Sequence, residues 1–240
     1  FPCHIDGYIK SKVSGLHIFK TKGERLSPPF GYHPLVDSLT SAKAWDREYA
    51  ARGRLWGGAV SDMPTLLAGS RVLELGCGDG KTLAGMADSW RIVSLDVSPQ
   101  ALRLSRTVRP EARLLLADAS RLPFQGGKFD AVFAFHVTGH LLAAGRSALA
   151  GEAARVLAPG GRLFFREFAG CDLRAGQGEE VESGTFLRKS GIVTHFFSEG
   201  EVRDLFDDLR PISVAARRWN MRVKGRDLLR CEVQAVFQKD

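Results

Sequence analysis

From residue 71 onward, short unbroken apolar runs alternate with amphipathic stretches. The runs at 72–75, 92–95, 113–116, 129–135 and 162–168 have the length of strands buried on both faces, and the stretches at 81–89, 99–108 and 146–157 carry helical spacing. Strand and helix in alternation predict an α/β fold with a parallel sheet covered on both faces. Upstream, residues 35–56 have helical spacing with aromatics at Trp45, Tyr49 and Trp56, ended by Gly57-Gly58. Residues 1–34 keep neither period for long: lysines alternate with apolar residues, then Ser27-Pro28-Pro29-Phe30-Gly31 breaks the chain. This predicts an N-terminal arm at 1–34 ahead of one domain at 35–240. After Ala169 a polar, glycine-bearing stretch interrupts the rhythm as far as Gly191. A helix at 199–209 and strands at 212–216 and 230–237 close the chain.

Composition narrows the class. At 240 residues, 44% hydrophobic and 25% charged, the chain suits a globular domain and excludes wholesale disorder, collagen and coiled coil. No apolar run is long enough to span a bilayer and no charged-then-apolar leader is visible, which predicts a soluble protein with no membrane partner. The net charge of +7 favours a polyanionic partner. Cys3, Cys77, Cys171 and Cys231 lie far apart with no Cys-x-x-Cys. Their spacing predicts free thiols, no disulfide framework or zinc site, and a reducing, cytoplasmic setting.

The chemistry concentrates at strand ends. Val72-Leu73-Glu74-Leu75-Gly76-Cys77-Gly78-Asp79-Gly80 runs a buried strand into three alternating glycines before an expected helix. Glycine lets the backbone turn sharply and lets a ligand approach without Cβ obstruction, and the helix N-terminus offers free N–H groups. A dinucleotide fingerprint would require glycine where Lys81 stands, so the pattern leans away from NAD. Asp96, followed by Val97, ends the second strand, where an acid suits the two hydroxyls of a ribose. Asp118, followed by Ala119, ends the third, where a carboxylate accepts from an adenine amino group. Together these predict an adenosine site. Cys77 has no visible base partner and reads as a packed spacer. His136 and His140 stand four apart, but Val137 replaces the glutamate of a zinc-protease helix and no third ligand is apparent, so no metal is expected.

Glu74 through Gly80, Asp96, Asp118 with Leu122-Pro123-Phe124, Phe129-Asp130-Ala131-Val132 and Arg155-Val156-Leu157-Ala158-Pro159-Gly160-Gly161 together resemble the class I S-adenosylmethionine-dependent methyltransferases. The resemblance implies a Rossmann-like, seven-stranded, mostly parallel sheet with helices on both faces and an antiparallel last strand. It implies S-adenosyl-L-methionine as cofactor. Glu74, Gly76, Cys77, Gly78 and Gly80 would cradle its methionine part, Asp96 with Val97 and Asp118 with Ala119 would hold ribose and adenine, and His136 would line the transfer cleft. Trp45 and Tyr49, with Trp56, are candidates to close over the cofactor, where an aromatic face suits a sulfonium.

A narrower resemblance is to the tRNA 3-methylcytidine methyltransferases. It rests on Phe165-Arg166-Glu167-Phe168, Asp172-Leu173-Arg174, Phe186-Leu187-Arg188, Thr194-His195-Phe196-Phe197-Ser198 and Trp45-Asp46-Arg47-Glu48-Tyr49. Glu167 and Phe168 stand where that family has Asp and Tyr, and His195 replaces its first aromatic. This resemblance implies Glu167 and Asp172 as carboxylates beside a methylated base. His136 is the remaining candidate for the chemistry, as cleft wall or proton acceptor. Between Arg210 and Arg230 seven basic residues face one acid, Asp227, with Trp219 among them. That segment reads either as a surface for tRNA or other RNA or as a solvated hairpin. Small-molecule methylation and cofactor binding without turnover stand as the alternatives.

Overall fold

The structure, a computed structural model, describes residues 8–13, 16–21, 38–55, 60, 62–223 and 225–240. One nine-stranded sheet organises the chain. In chain order its strands are β1 (Tyr8–Val13), β2 (Leu16–Thr21), β3 (Arg71–Leu75), β4 (Arg91–Asp96), β5 (Arg113–Leu116), β6 (Phe129–Phe135) and β7 (Leu157–Phe168), then β11 (Arg210–Val223) and β12 (Arg226–Gln238). They lie side by side as β1-β2-β5-β4-β3-β6-β7-β12-β11. From β2 through β7 neighbours run parallel, and β12 runs antiparallel to both β7 and β11. The seven strands from β5 to β11 are the expected sheet with its antiparallel last strand.

The helices are α1 (Ser38–Arg52), α2 (Pro99–Val108), α3 (Ala143–Val156) and α4 (Glu199–Leu205). Ser98 caps α2, its Oγ accepting from Ala101 N, with Pro99 at the first helical position. The strands have two apolar faces, as a doubly covered sheet requires. One packs Leu73, Leu75, Val132, Leu163 and Phe165 against α3 and α4; the other packs Val72, Ile92, Phe133 and Phe164 against Leu102 of α2 and Leu83, Met86 and Trp90.

Four expectations change. The stretch 81–89 is not an α-helix but turns around a 3-10 segment, Leu83–Gly85. In the connection from β3 to β4, Gly85 packs so tightly on the Val60 carbonyl that a Cβ would collide with it. The stretch read as an arm contributes the antiparallel pair β1 and β2, and β2 adds parallel to β5. The polar stretch after Ala169 holds β8 (Glu179–Glu182), β9 (Thr185–Leu187) and β10 (Val193–His195), a separate antiparallel sheet in the order β10-β9-β8. Finally, Cys171 and Cys231 form a disulfide with Cα atoms 5.6 Å apart. Antiparallel β12 returns Cys231 to the end of β7, so spacing along the chain hid the pair, and the free-thiol argument for a reducing setting lapses. Trp56, Gly57 and Gly58 lie outside the described residues, as do Cys3 and Lys224. No described helix is long and apolar enough to cross a membrane.

Candidate active site

The sheet's chain order reverses at β3: β4 and β5 continue to one side, β6 and β7 to the other. Diverging connections leave a crevice at the carboxyl ends of these strands, the place where open α/β sheets bind ligands. A pocket sits there, lined by Gly76 after β3, Asp96 and Val97 after β4, Asp118 and Ala119 after β5, and His136 after β6, with Trp45 and Tyr49 of α1 above. Eight of the residues expected at the cofactor are thus brought together. Ser41, Leu95, Ala117, Val137, His140 and Leu141 complete the wall; none of them was a cofactor candidate in the sequence.

The glycine loop is shaped as a cradle. Gly76, Gly78 and Gly80 all have positive φ, at +67°, +54° and +85°, which a side chain tolerates poorly. A Cβ on Gly76 would lie 2.7 Å from Val137 Cγ2, and one on Gly78 2.6 Å from the Tyr49 hydroxyl. Below the loop, Ser94 Oγ donates to Glu74 Oε2 at 2.6 Å, while Glu74 Oε1 has no hydrogen-bond partner among the described residues. Burial pushes Glu74 up to about 7. Cys77 is buried, and burial raises its thiol well above the ordinary range, as befits a packed spacer.

Asp96 accepts from Gly78 N and Ser98 N, each at 2.9 Å. Burial pushes its carboxyl up to about 6 against these N–H groups, which hold it down. Asp118 Oδ1 accepts from Ser120 N and Ser120 Oγ. Tyr49 and Trp45 stack at 5.6 Å, and the edge of His140 meets Trp45 at 4.7 Å. Asp46, between them in sequence, accepts from Ser98 Oγ at 2.8 Å and Gln100 N at 2.9 Å, latching α1 to the start of α2. A carboxylate bonded to the first turn of a helix is stabilising there.

His136 stands at the turn out of β6 with φ +55°, the one described non-glycine residue with positive φ. Such a conformation costs about 1–3 kcal/mol and persists only where its surroundings enforce it. Here His136 N donates to Arg166 O at 2.8 Å, and its ring stacks on Phe168 at 4.5 Å. Nε2 lies 3.5 Å from Glu232 Oε1, and Nδ1 3.9 Å from Glu167 Oε2. Burial first, then His140, Arg174, Lys81 and Arg166, push His136 down to about 3, so the imidazole is neutral.

The two expected carboxylates do not open onto the cleft. Glu167 lies beneath His136, 1% exposed, with Oε1 accepting from Gly139 N at 2.9 Å; burial pushes it up to about 8. It clamps the turn after β6. Asp172 is 3% exposed and saturated by Arg174 Nε and Arg230 Nε, both at 2.8 Å, with Arg174 N and Cys231 N also donating. The acid nearer the imidazole is Glu232. Sequence reasoning missed it because only the pairing of β12 with β7, Glu232 opposite Phe168, brings it there; the polar alternation Glu232, Gln234 within an apolar strand was its one signal.

These features suit an adenosine bearing an amino-acid tail: a side-chain-free cradle with an orphaned carboxylate oxygen beneath it, followed by two strand-end acids. A methyltransferase-domain family model matches residues 73–165. The chain is 39% identical over 119 residues to the demethylmenaquinone methyltransferase of Beutenbergia cavernae, covering 48% of each protein. It is 33% identical over 177 residues to the ubiquinone/menaquinone biosynthesis C-methyltransferase UbiE of Pseudomonas putida, covering 62% of this chain and 67% of that protein. To the tRNA N(3)-cytidine methyltransferase METTL2 of Gallus gallus it is 27% identical over 201 residues, covering 75% of this chain and 54% of that protein. The chain spans about half the length of most curated relatives it matches. A SAM-dependent methyltransferase of Methanosarcina mazei shares the fold at a TM-score of 0.59 and 24% identity, over 72% of this chain and 94% of that one. The chain belongs to the class I S-adenosylmethionine-dependent methyltransferases, and S-adenosylmethionine is its cofactor.

Proposed function

We propose that this chain methylates a base in RNA, with N3 of a tRNA cytidine as the favoured acceptor. The observation that carries the reading is the β11–β12 hairpin, which pairs with β7 only as far as Glu232 opposite Phe168 and then projects beyond it, basic, from the rim of the cofactor cleft. Neutralising phosphates with such cations releases counterions and dominates affinity for nucleic acid. The likeness to tRNA methyltransferases also extends over 75% of the chain, beyond the cofactor-binding half.

When bound, S-adenosylmethionine supplies a methyl group already activated by its sulfonium. The residues then have to position the acceptor, keep water out and handle charge. Asp96 and Asp118 fix the adenosine end, Tyr49 and Trp45 cover it, and neutral His136 forms the wall on the acceptor side. A cytidine N3 has a free lone pair at neutral pH and needs no strong base. Its ring becomes cationic as the bond forms, so a carboxylate nearby stabilises the transition state more than the ground state. Glu232, beside His136 Nε2, is placed for that role; Glu167 and Asp172 act as positioning residues beneath it.

A second reading, methylation of a quinone or another small molecule, is favoured by the higher identity to demethylmenaquinone methyltransferases. Transfer of tritiated methyl into total RNA and into a quinone-containing lipid extract separates the two. Counts in RNA, reduced tenfold or more in Glu232→Gln at unchanged cofactor affinity, support the proposal. Counts in lipid alone overturn it.

A further inference from the structure

Residue alternation divides the hairpin into two faces with different neighbours. Val214, Val233 and Ala235 pack into the core beneath α4, so Arg218, Asn220 and Arg222, of the same parity as Val214, point to that side. The opposite face carries Arg217 across from Glu232, Trp219 across from Arg230, and Met221 across from Leu228. Glu232 pairs in turn with Phe168, whose ring meets His136. One continuous surface therefore runs from the wall of the cofactor pocket to the tip of the hairpin, on one side of the sheet only.

Its charges follow a pattern. Asp62 accepts from Arg166 Nη1 at 2.9 Å and from Arg217 Nη1 at 3.4 Å, while Asp172 joins Arg174 and Arg230, each at 2.8 Å. Each bridge joins two guanidiniums through one carboxylate; with Glu232 on the same face, the four arginines and three carboxylates leave one positive charge over. Rings hold one arginine of each bridge: Arg166 stacks on Phe135 at 4.5 Å, and Arg174 covers Phe168 at 3.6 Å. Beyond them Trp219, 36% exposed on an edge strand, has the Arg230 guanidinium 5.7 Å from its ring.

We infer that this face is a track for single-stranded RNA, with Arg217 and Arg174, the more exposed member of each bridged pair, gripping phosphates near the acceptor nucleotide and Trp219 stacking an unpaired base next to it. The inference rests on the RNA reading above and deepens it. Cations alternating with an open aromatic face are what a flexible strand of charged backbone and flat bases requires. Aspartate bridging gives each guanidinium a fixed direction while keeping the net charge positive, so the phosphate finds its partners already oriented. A neutral isoprenoid chain would instead have to desolvate these arginines without compensation.

The test is fluorescence anisotropy of a fluorescein-labelled single-stranded oligoribonucleotide with the full chain, wild type and variants, across a salt series. Trp219→Ala should weaken binding about tenfold, and Trp219→Phe, which keeps a stacking ring, should restore most of it. Arg217→Gln should weaken binding several-fold and make the salt dependence shallower by about one charge. Arg218→Gln removes the same charge one residue away but on the other face, and should stay within about twofold of wild type. If Arg217→Gln and Arg218→Gln weaken binding alike and Trp219→Ala binds as wild type, the face-specific track is overturned while RNA binding stands. If wild type binds neither the oligoribonucleotide nor bulk tRNA at low salt, the RNA reading itself fails, and the track with it.

Discussion

Between β3 and the end of β6, nearly every group at the cofactor pocket comes from a strand's carboxyl end or the loop just after it. Between β7 and β12, the polar groups near the cleft are set by pairing across long stretches of chain: Asp172 with Arg230, Glu232 with His136, Arg166 with Asp62. The first region is assembled from local turns whose geometry is written in glycines and strand-end acids. The second is assembled by register, and its residues acquire neighbours only once the sheet has formed. The methyltransferase-domain match ends at residue 165, near the boundary between the two. The cofactor pocket belongs to the local half, and the proposed acceptor surface to the other.

If that division holds, damage in the first region should remove cofactor binding and spare the fold. Gly78→Val has the largest expected effect. Its Cβ would meet the Tyr49 hydroxyl at 2.6 Å, at a φ of +54° that a β-branched residue resists. Calorimetry should find cofactor affinity lost by a hundredfold or more, with circular dichroism near wild type. Normal binding would mean that the loop is structural and the cofactor lies elsewhere.

Damage in the second region should instead cost stability first. Asp172→Ala strips the shared carboxylate from Arg174 and from Arg230, which is nearly buried. Leaving a buried charge unpaired typically costs about 3–5 kcal/mol, to be read from the midpoint of urea unfolding. A variant of wild-type stability that has lost turnover would restore Asp172 to the chemistry.

Asp96→Ala sharpens the contrast at smaller scale. Hydrogen bonds to a charged acceptor are worth roughly 1.5–3 kcal/mol each, so affinity for S-adenosylmethionine should fall at least tenfold while RNA affinity is unchanged. The pH dependence has a definite sign. Burial raises the Asp96 carboxyl to about 6, and only its ionised form accepts from two hydroxyls. Cofactor affinity should therefore be full above that pH and decline as pH falls through it, and Asp96→Ala should flatten the decline. An unchanged slope in the variant would assign the titration to another group.

The same division explains what could be read in the sequence. Gly76, Gly78, Gly80, Asp96 and Asp118 announce themselves because each answers a local geometric need. The expected helix at 81–89 failed because helical spacing there competes with packing of Gly85 against the Val60 carbonyl. The alternation at Lys10 and Lys12 was the period of an edge strand, though a hairpin's place in a sheet depends on what it docks against. Glu167 and Asp172 were found by resemblance but assigned the wrong surroundings, since burial and saturation of a carboxylate are properties of the packed state. Asp62 carried no local signal, and Glu232 only the polar alternation that it shares with Gln234.

The central claim, that a common cofactor half serves an acceptor half built for RNA, is tested most directly by mass spectrometry of nucleosides from tRNA incubated with the protein and S-adenosylmethionine. The account predicts a time-dependent gain of 3-methylcytidine that disappears in Gly78→Val. No methylated nucleoside from any RNA, with a methylated quinone or other small molecule formed in parallel reactions, would contradict it.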